Sequence, residues 1–151
     1  MTVRQYQNLI VWQKAMELVT RVDEVSGSFP RREMFGLTNQ LRCAAVSIPS
    51  NIAEGRGRQS TKDFLRHLSI ARGSLQEVET QILIAARPRY RDEPASAELL
   101  GGAEETSRLM TGLSRSLSRM TLSEDDSGPD RGGAASPLAT RHSPLATNGE
   151  V

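Results

Sequence analysis

An all-α fold, an antiparallel up-down four-helix bundle with a disordered C-terminal tail, is what this sequence predicts, and three observations lead there. Apolar residues make up 37% of the 151 and aromatics only 4%. A core must therefore come from Leu, Ile, Val, Ala and Met, which suits helices better than a β-sandwich. Two stretches carry apolar residues in alternating steps of four and three, a seam no strand produces. Short connections separate the helical stretches, so each helix turns back along the one before it. The length is one domain's worth with room for an appendage. The expected division is a bundle over residues 1–120 and a low-complexity tail over 121–151.

The first helix is expected from Asn8 to Val25, where Trp12, Ala15, Met16, Val19 and Val22 recur three and four apart. Ser26, Gly27 and Ser28 stop it, and Phe29-Pro30 opens a short connection. A second helix is expected from Arg31 or Glu33 to Glu54, with the stripe Leu37, Leu41, Ala44 or Ala45, Ile48 and Ile52. Gly55 is the expected left-handed residue ending it. Pro49 removes one backbone bond inside this helix, at a cost of about 3 kcal/mol, and predicts a kink near Ala45 to Pro49. Ser47, Ser50 and Asn51 surround it with short polar side chains able to rebind freed carbonyls, or alternatively to line a small ligand pocket.

Ser60 reads as an N-cap with Asp63 three residues later, which places a carboxylate at the positive end of a third helix. Phe64, Leu68, Ala71, Leu75, Val78, Ile82 and Ala85 form its seam. Arg87 to Pro94, with two prolines and alternating charge, is a loop, and Pro94 suits the start of a fourth helix. There Leu99, Ala103, Thr106, Met110, Leu113, Leu117 and Met120 repeat the stepping, with fraying expected near Gly101 because Gly101, Gly102 and Gly112 are poor helix formers. After Thr121 the chain turns to Gly, Pro, Ser and Asp, and Ser136-Pro-Leu-Ala-Thr140 recurs as Ser143-Pro-Leu-Ala-Thr147. Such a segment cannot bury enough apolar surface to offset its ordering entropy.

Charge and composition narrow the function. Residues 1–120 hold 17 Lys/Arg against 13 Asp/Glu, and residues 121–151 hold 2 against 5. Almost all the basic residues are Arg, whose planar fork suits carboxylate or phosphate. One Trp among so few aromatics excludes a base-stacking sheet. Cys43 is the single cysteine, which excludes an internal disulfide, and it reads as a small buried hydrophobe. No signal-peptide pattern opens the chain and its longest apolar run is Ile82 to Ala86, so a cytoplasmic, membrane-free protein is expected.

Catalytic and metal chemistry find little footing. A di-iron bundle needs Glu and His three apart on two helices, yet Phe64 stands three before His67 and His142 lies in the tail. No metal and no cofactor is expected, and His67 reads as a surface or boundary residue. No nucleophile elbow, phosphate-binding glycine loop or dinucleotide fingerprint occurs, and Gly55-Arg56-Gly57-Arg58 follows a helix rather than a strand. What stands out is the basic cluster Arg56, Arg58, Lys62 and Arg66, expected at one end of the bundle and fit for a polyanion such as RNA or DNA. The plainer reading is a solvated face partly neutralised by Glu54 and Asp63. A rival of another class is a protein-binding adaptor using exposed Ile10, Val11, Ile70 and Leu83.

Four strings also resemble a known family: Leu9-Ile-Val-Trp-Gln-Lys-Ala15; Phe29-Pro30 with Glu33 and Gly36-Leu-Thr-Asn-Gln-Leu-Arg42; Ser47-Ile-Pro-Ser-Asn-Ile-Ala-Glu-Gly55; and Ile70-Ala-Arg-Gly-Ser-Leu75. They are similar to the bacterial four-helix bundle proteins named for 23S ribosomal RNA intervening sequences, over about residues 6 to 86. The resemblance implies a cytosolic bundle assembling into a ring, in known members a pentamer, without enzyme activity. More distant relatives are accessory proteins of diversity-generating retroelements that bind a reverse transcriptase and nucleic acid. Ser47, Asn51, Glu54, Arg56 and Gly73 match the motifs, with Gly73 expected to permit close helix approach. After Arg87 the sequence departs from the family pattern.

Overall fold

The computed structural model describes residues 5–87 and 93–126. A 3-10 turn, Gln5–Asn8, leads into α1, Ile10–Ser26. A second 3-10 turn, Arg31–Glu33, precedes α2, Leu37–Arg56. Then come α3, Thr61–Ala86, and α4, Glu93–Asp126. No strand occurs among the described residues. Each helix packs on its sequence neighbours and α1 closes the ring against α4. The connections between helices are too short to cross back along a helix of about 39 Å, so neighbours run antiparallel and the molecule is an up-down four-helix bundle.

One core runs through it, centred on Leu41, Ile48, Ile52, Leu68, Leu75, Ile82 and Met110. All seven α3 seam positions are buried, as their stepping predicts. In α1 the buried stripe is Val11, Ala15, Leu18 and Val22, one position round from the expected one. Met16 is 40% exposed, and Trp12 and Val19 sit half-buried at the edge. Two apolar faces compete on this helix, and contact with both α2 and α4 selects the one between them. Val11 is thereby removed from the exposed set, whereas Ile10, Ile70 and Leu83 are exposed as expected.

The first turn of α2 begins at Leu37, later than Arg31 or Glu33, because the 3-10 turn ends before Gly36, whose φ of −103° and ψ of −114° are not helical. Arg42 reaches back to the end of α1. Its Nε donates to Ser26 Oγ at 2.7 Å and its Nη2 to the Asp23 carbonyl at 3.2 Å, while Nε also lies 3.1 Å from the Asp23 carboxylate. Cys43, expected to be buried, is exposed. The flanking Leu41, Ala44 and Ala45 take the core-facing positions of a 3.6-residue period and leave Cys43 outside.

Helix α2 stays helical through Pro49. Ser50 Oγ donates to the Val46 carbonyl and Asn51 Nδ2 to the Ser47 carbonyl, both at 2.8 Å. These are the two carbonyls after Ala45, the one the proline cannot serve. Gly55 does not end the helix in a left-handed turn: α2 continues to Arg56, and the Gly57 cap has φ −79°. Gly55 is required for a different reason. A Cβ there would lie 2.6 Å from His67 Cβ and 2.8 Å from Phe64 Cδ2, so α3 crosses directly over it. At Gly73 the expectation of close approach fails, since the position is exposed with nothing within 4 Å of an added Cβ.

Helix α4 is continuous through Gly101 and Gly102 rather than frayed. Salt bridges from α1 hold this stretch: Arg21 pairs with Glu98, and Lys14 bridges Glu17 at 2.9 Å and Glu105 at 3.8 Å. The hydrogen bond that Lys14 donates to Glu17 and the charges of Glu105 and Glu17 raise the Lys14 pKa above 10.5. Along α4 the seam is buried at Leu99, Ala103, Thr106 and Met110, half-buried at Leu113 and Leu117, and exposed at Met120. With 17 residues α1 is half the length of α4 and runs antiparallel to it, with Arg21 beside Glu98, Leu18 beside Gly102 and Lys14 beside Glu105, so the turns of α4 beyond the start of α1 rest on α3 alone. Helix α4 also runs past residue 120 to Asp126; the rest of the expected tail lies outside the described residues.

Candidate polyanion interface and polar seam

Two groupings of the expected site residues meet where α2 passes into α3. The first is the basic end. Arg56 is the last residue of α2, Arg58 lies in the loop, and Lys62 and Arg66 are one turn apart at the start of α3. All four are exposed. Arg58 is paired with Glu54 on the preceding turn. Asp63 is engaged in the cap: its backbone N–H donates to Ser60 Oγ at 3.1 Å, and Ser60 Oγ donates to its carboxylate at 2.7 Å. Arg56, Lys62 and Arg66 have no ion-pair partner among the described residues. Neutralisation of this end by Glu54 and Asp63 is therefore partial, reaching Arg58 but not the other three.

The second grouping is a polar seam on the edge of the α2–α3 contact. Ser47, Asn51, Glu54 and Arg58 step by four, three and four along one stripe of α2. Ser47 Oγ lies 2.9 Å from Ser74 Oγ, and Asn51 Nδ2 donates to Ser47 Oγ at 3.1 Å. The Asn51 carbonyl oxygen faces His67 Nδ1 at 3.4 Å, and the far ring nitrogen of His67 is 3.9 Å from Glu54 Oε1. The His67 side chain is only 14% exposed, a boundary position wedged beside Gly55. Sequence reasoning placed Ser47, Asn51 and Glu54 here but missed their partners on α3. The signal was the seven-residue spacing of His67 and Ser74, which puts both on one face.

Chemically, the seam satisfies polar groups along a close helix contact. The Ser47 and Ser74 hydroxyls bond to each other, and Asn51 separates them from His67. No base addresses a hydroxyl there, so the arrangement is not that of an activated nucleophile. Among the described residues no group of three or more His, Cys, Asp or Glu could hold a metal ion, and no helix is long and apolar enough to cross a membrane.

A model of the 23S rRNA-intervening sequence protein family matches residues 7–112, about the whole packed part of the bundle. The chain belongs to that family. The match spans both the basic end and the seam, and it stops inside α4, ahead of the turns that rest on α3 alone. No curated protein matches the chain. Among solved structures it is similar to a protein of unknown function from the S23 ribosomal protein family of Bacteroides thetaiotaomicron, with a TM-score of 0.66 at 22% identity. That likeness covers 70% of this chain and 96% of the other, and it is a likeness of fold. The family is one of unknown function, so what its members do does not transfer with the bundle.

Proposed function

We propose that this member of the 23S rRNA-intervening sequence protein family is a non-enzymatic, oligomeric helical scaffold of the cytoplasm that binds RNA or DNA through the basic α2–α3 end. The observation that carries the reading is the set Arg56, Lys62 and Arg66, exposed on the last turn of α2 and the first turns of α3 without an acidic partner among the described residues. Guanidinium and ammonium groups left unpaired at one pole suit the regularly spaced phosphates of a polyanion. Exposed apolar surface supports self-assembly: Met16 and Val46 border an open groove with Tyr6, Trp12, Val19 and Pro49. A pentamer is the subunit number suggested by the family resemblance.

Replacing Arg56, Arg58, Lys62 and Arg66 together by Gln should abolish salt-sensitive retention of RNA or DNA, and unchanged retention refutes the reading. Mass measurement in solution before and after nuclease treatment tests assembly and co-purifying nucleic acid together. A nucleic-acid-free monomer is the refuting result for both. A second reading, a protein-binding adaptor without nucleic acid, draws on the same groove together with exposed Ile10, Ile70 and Leu83. Capture of a protein partner that resists both nuclease and salt favours it over the first.

A further inference from the structure

A groove lies between α3 and the later turns of α4, lined by Arg72, Thr111, Ser114, Arg115, Ser118 and Arg119, with a volume of about 570 Å³. It lies on the α3 side of α4, away from the face on which Glu98, Gly102 and Glu105 meet α1.

The charge of this groove is unusual for the chain. Residues 64–76 of α3 contain Arg66 and Arg72 and no acid, and residues 106–123 of α4 contain Arg108, Arg115 and Arg119 and no acid. Arg21, Arg42 and Arg58 meet carboxylates, whereas Arg56 and Arg66 at the α2–α3 end do not. Arg72, Arg115 and Arg119 are exposed and have no ion-pair partner among the described residues. Arg115 and Arg119 stand one turn apart, about 6 Å of rise, and Arg119 Nε donates to the Arg115 carbonyl at 3.4 Å, laying its side chain along the helix. The Ser118 hydroxyl is spent on the Ser114 carbonyl at 2.9 Å. The Thr111 and Ser114 hydroxyls, half-buried in the lining, make no hydrogen bond among the described residues.

Helix propensity adds a second argument. Ser and Thr are poorer helix formers than Lys, Glu or Gln, so a face kept only for solvation is more stable without them. Short hydroxyls between guanidinium forks instead supply neutral donors to an anion already held by charge, the mixture that grips phosphate oxygens on a nucleic-acid strand.

We propose that the Arg72, Arg115 and Arg119 groove is a second phosphodiester-binding site, which takes the backbone of the RNA or DNA strand engaged at the basic α2–α3 end. The inference rests on the nucleic-acid reading of the preceding subsection. Arg66 to Arg72 is six residues, about 9 Å along α3 and about 120° round it, so a strand that leaves the basic end reaches the groove by wrapping partly around α3.

The test is fluorescence anisotropy of a labelled single-stranded RNA oligonucleotide across a salt series. It uses the full chain, the groove variant Arg72→Gln/Arg115→Gln/Arg119→Gln, the same three positions changed to Lys, and the end variant Arg56→Gln/Lys62→Gln/Arg66→Gln. Far-UV circular dichroism confirms that each is folded. The Gln groove variant should bind roughly tenfold or more weakly. Loss of three phosphate contacts should also lower the slope of log affinity on log salt by about 2 for a single strand. The Lys variant should keep the slope. If the end variant loses binding while the Gln groove variant matches the unaltered chain in affinity and slope, the groove inference is overturned and the scaffold reading stands. A Lys variant as weak as the Gln variant also overturns it, since charge is then not the cause. Absence of binding by the unaltered chain overturns the nucleic-acid reading, and the groove falls with it.

Discussion

Gly55→Ala offers the sharpest test of the α2–α3 packing. Helix propensity alone predicts stabilisation, because Ala in a helix interior is about 1 kcal/mol better than Gly, and Gly55 lies within α2. Geometry predicts the reverse. The new Cβ would sit 2.6 Å from His67 Cβ, 2.8 Å from Phe64 Cδ2 and 3.3 Å from the Phe64 carbonyl oxygen. Ordinary carbon contacts are about 3.5–4.0 Å, so α3 has to move by roughly 1 Å or Phe64 has to leave its rotamer. The Phe64 ring is buried and cannot swing freely, and His67 Cβ is fixed to the α3 backbone. Overpacking of this kind costs about 1–3 kcal/mol, and displacement of α3 also strains the Ser47–Ser74 and Asn51–His67 contacts. A net loss of about 1–2 kcal/mol follows. Gly73→Ala is the internal control: with open space around the added Cβ, only propensity acts and a gain of about 0.5–1 kcal/mol is expected. Urea unfolding followed by far-UV circular dichroism, with midpoint and slope fitted together at two protein concentrations, reads both. A Gly55→Ala chain as stable as the unaltered one refutes the packing argument. A destabilised Gly73→Ala chain refutes the open-space argument.

Ile82→Ala removes a 1% exposed side chain from the last turns of α3 and should cost about 2–5 kcal/mol in the same unfolding experiment; a loss below 1 kcal/mol would mean that α3 is not packed as described. Ser60→Ala deletes the N-cap acceptor of the Asp63 N–H and should cost about 1 kcal/mol, with Ser60→Asp recovering much of it. Lys14 contributes to stability through a raised pKa, so its share is present at neutral pH and is lost only as pH rises through a value above 10.5. Lys14→Met should therefore narrow the gap between unfolding midpoints at pH 7 and in strong alkali; an unchanged gap refutes the Lys14–Glu17–Glu105 bridge.

Much of the candidate interface was legible because it is local in sequence. Arg56, Arg58, Lys62 and Arg66 fall within one helix-loop-helix passage, and Ser60 with Asp63 forms a cap whose geometry is set by neighbours. The partners of Ser47 and Asn51 were not legible in the same way. His67 and Ser74 are 16 and 27 residues distant, and their pairing depends on the register of α3 against α2. Cys43 shows the same limit: an apolar neighbourhood in sequence suggested burial, and the phase of the helix put it outside.

The sequence by itself determined that there are four helices, where α3 begins, and which seven residues of α3 face inward, because hydrophobic period and capping act over a few residues and require no knowledge of the other helices. Which face of α1 is buried, why Gly55 must lack a side chain, and where α4 runs on beside α3 alone were decided only by tertiary structure. Those outcomes depend on how close two backbones come and where one helix stops relative to another, and neither distance is encoded within a single segment.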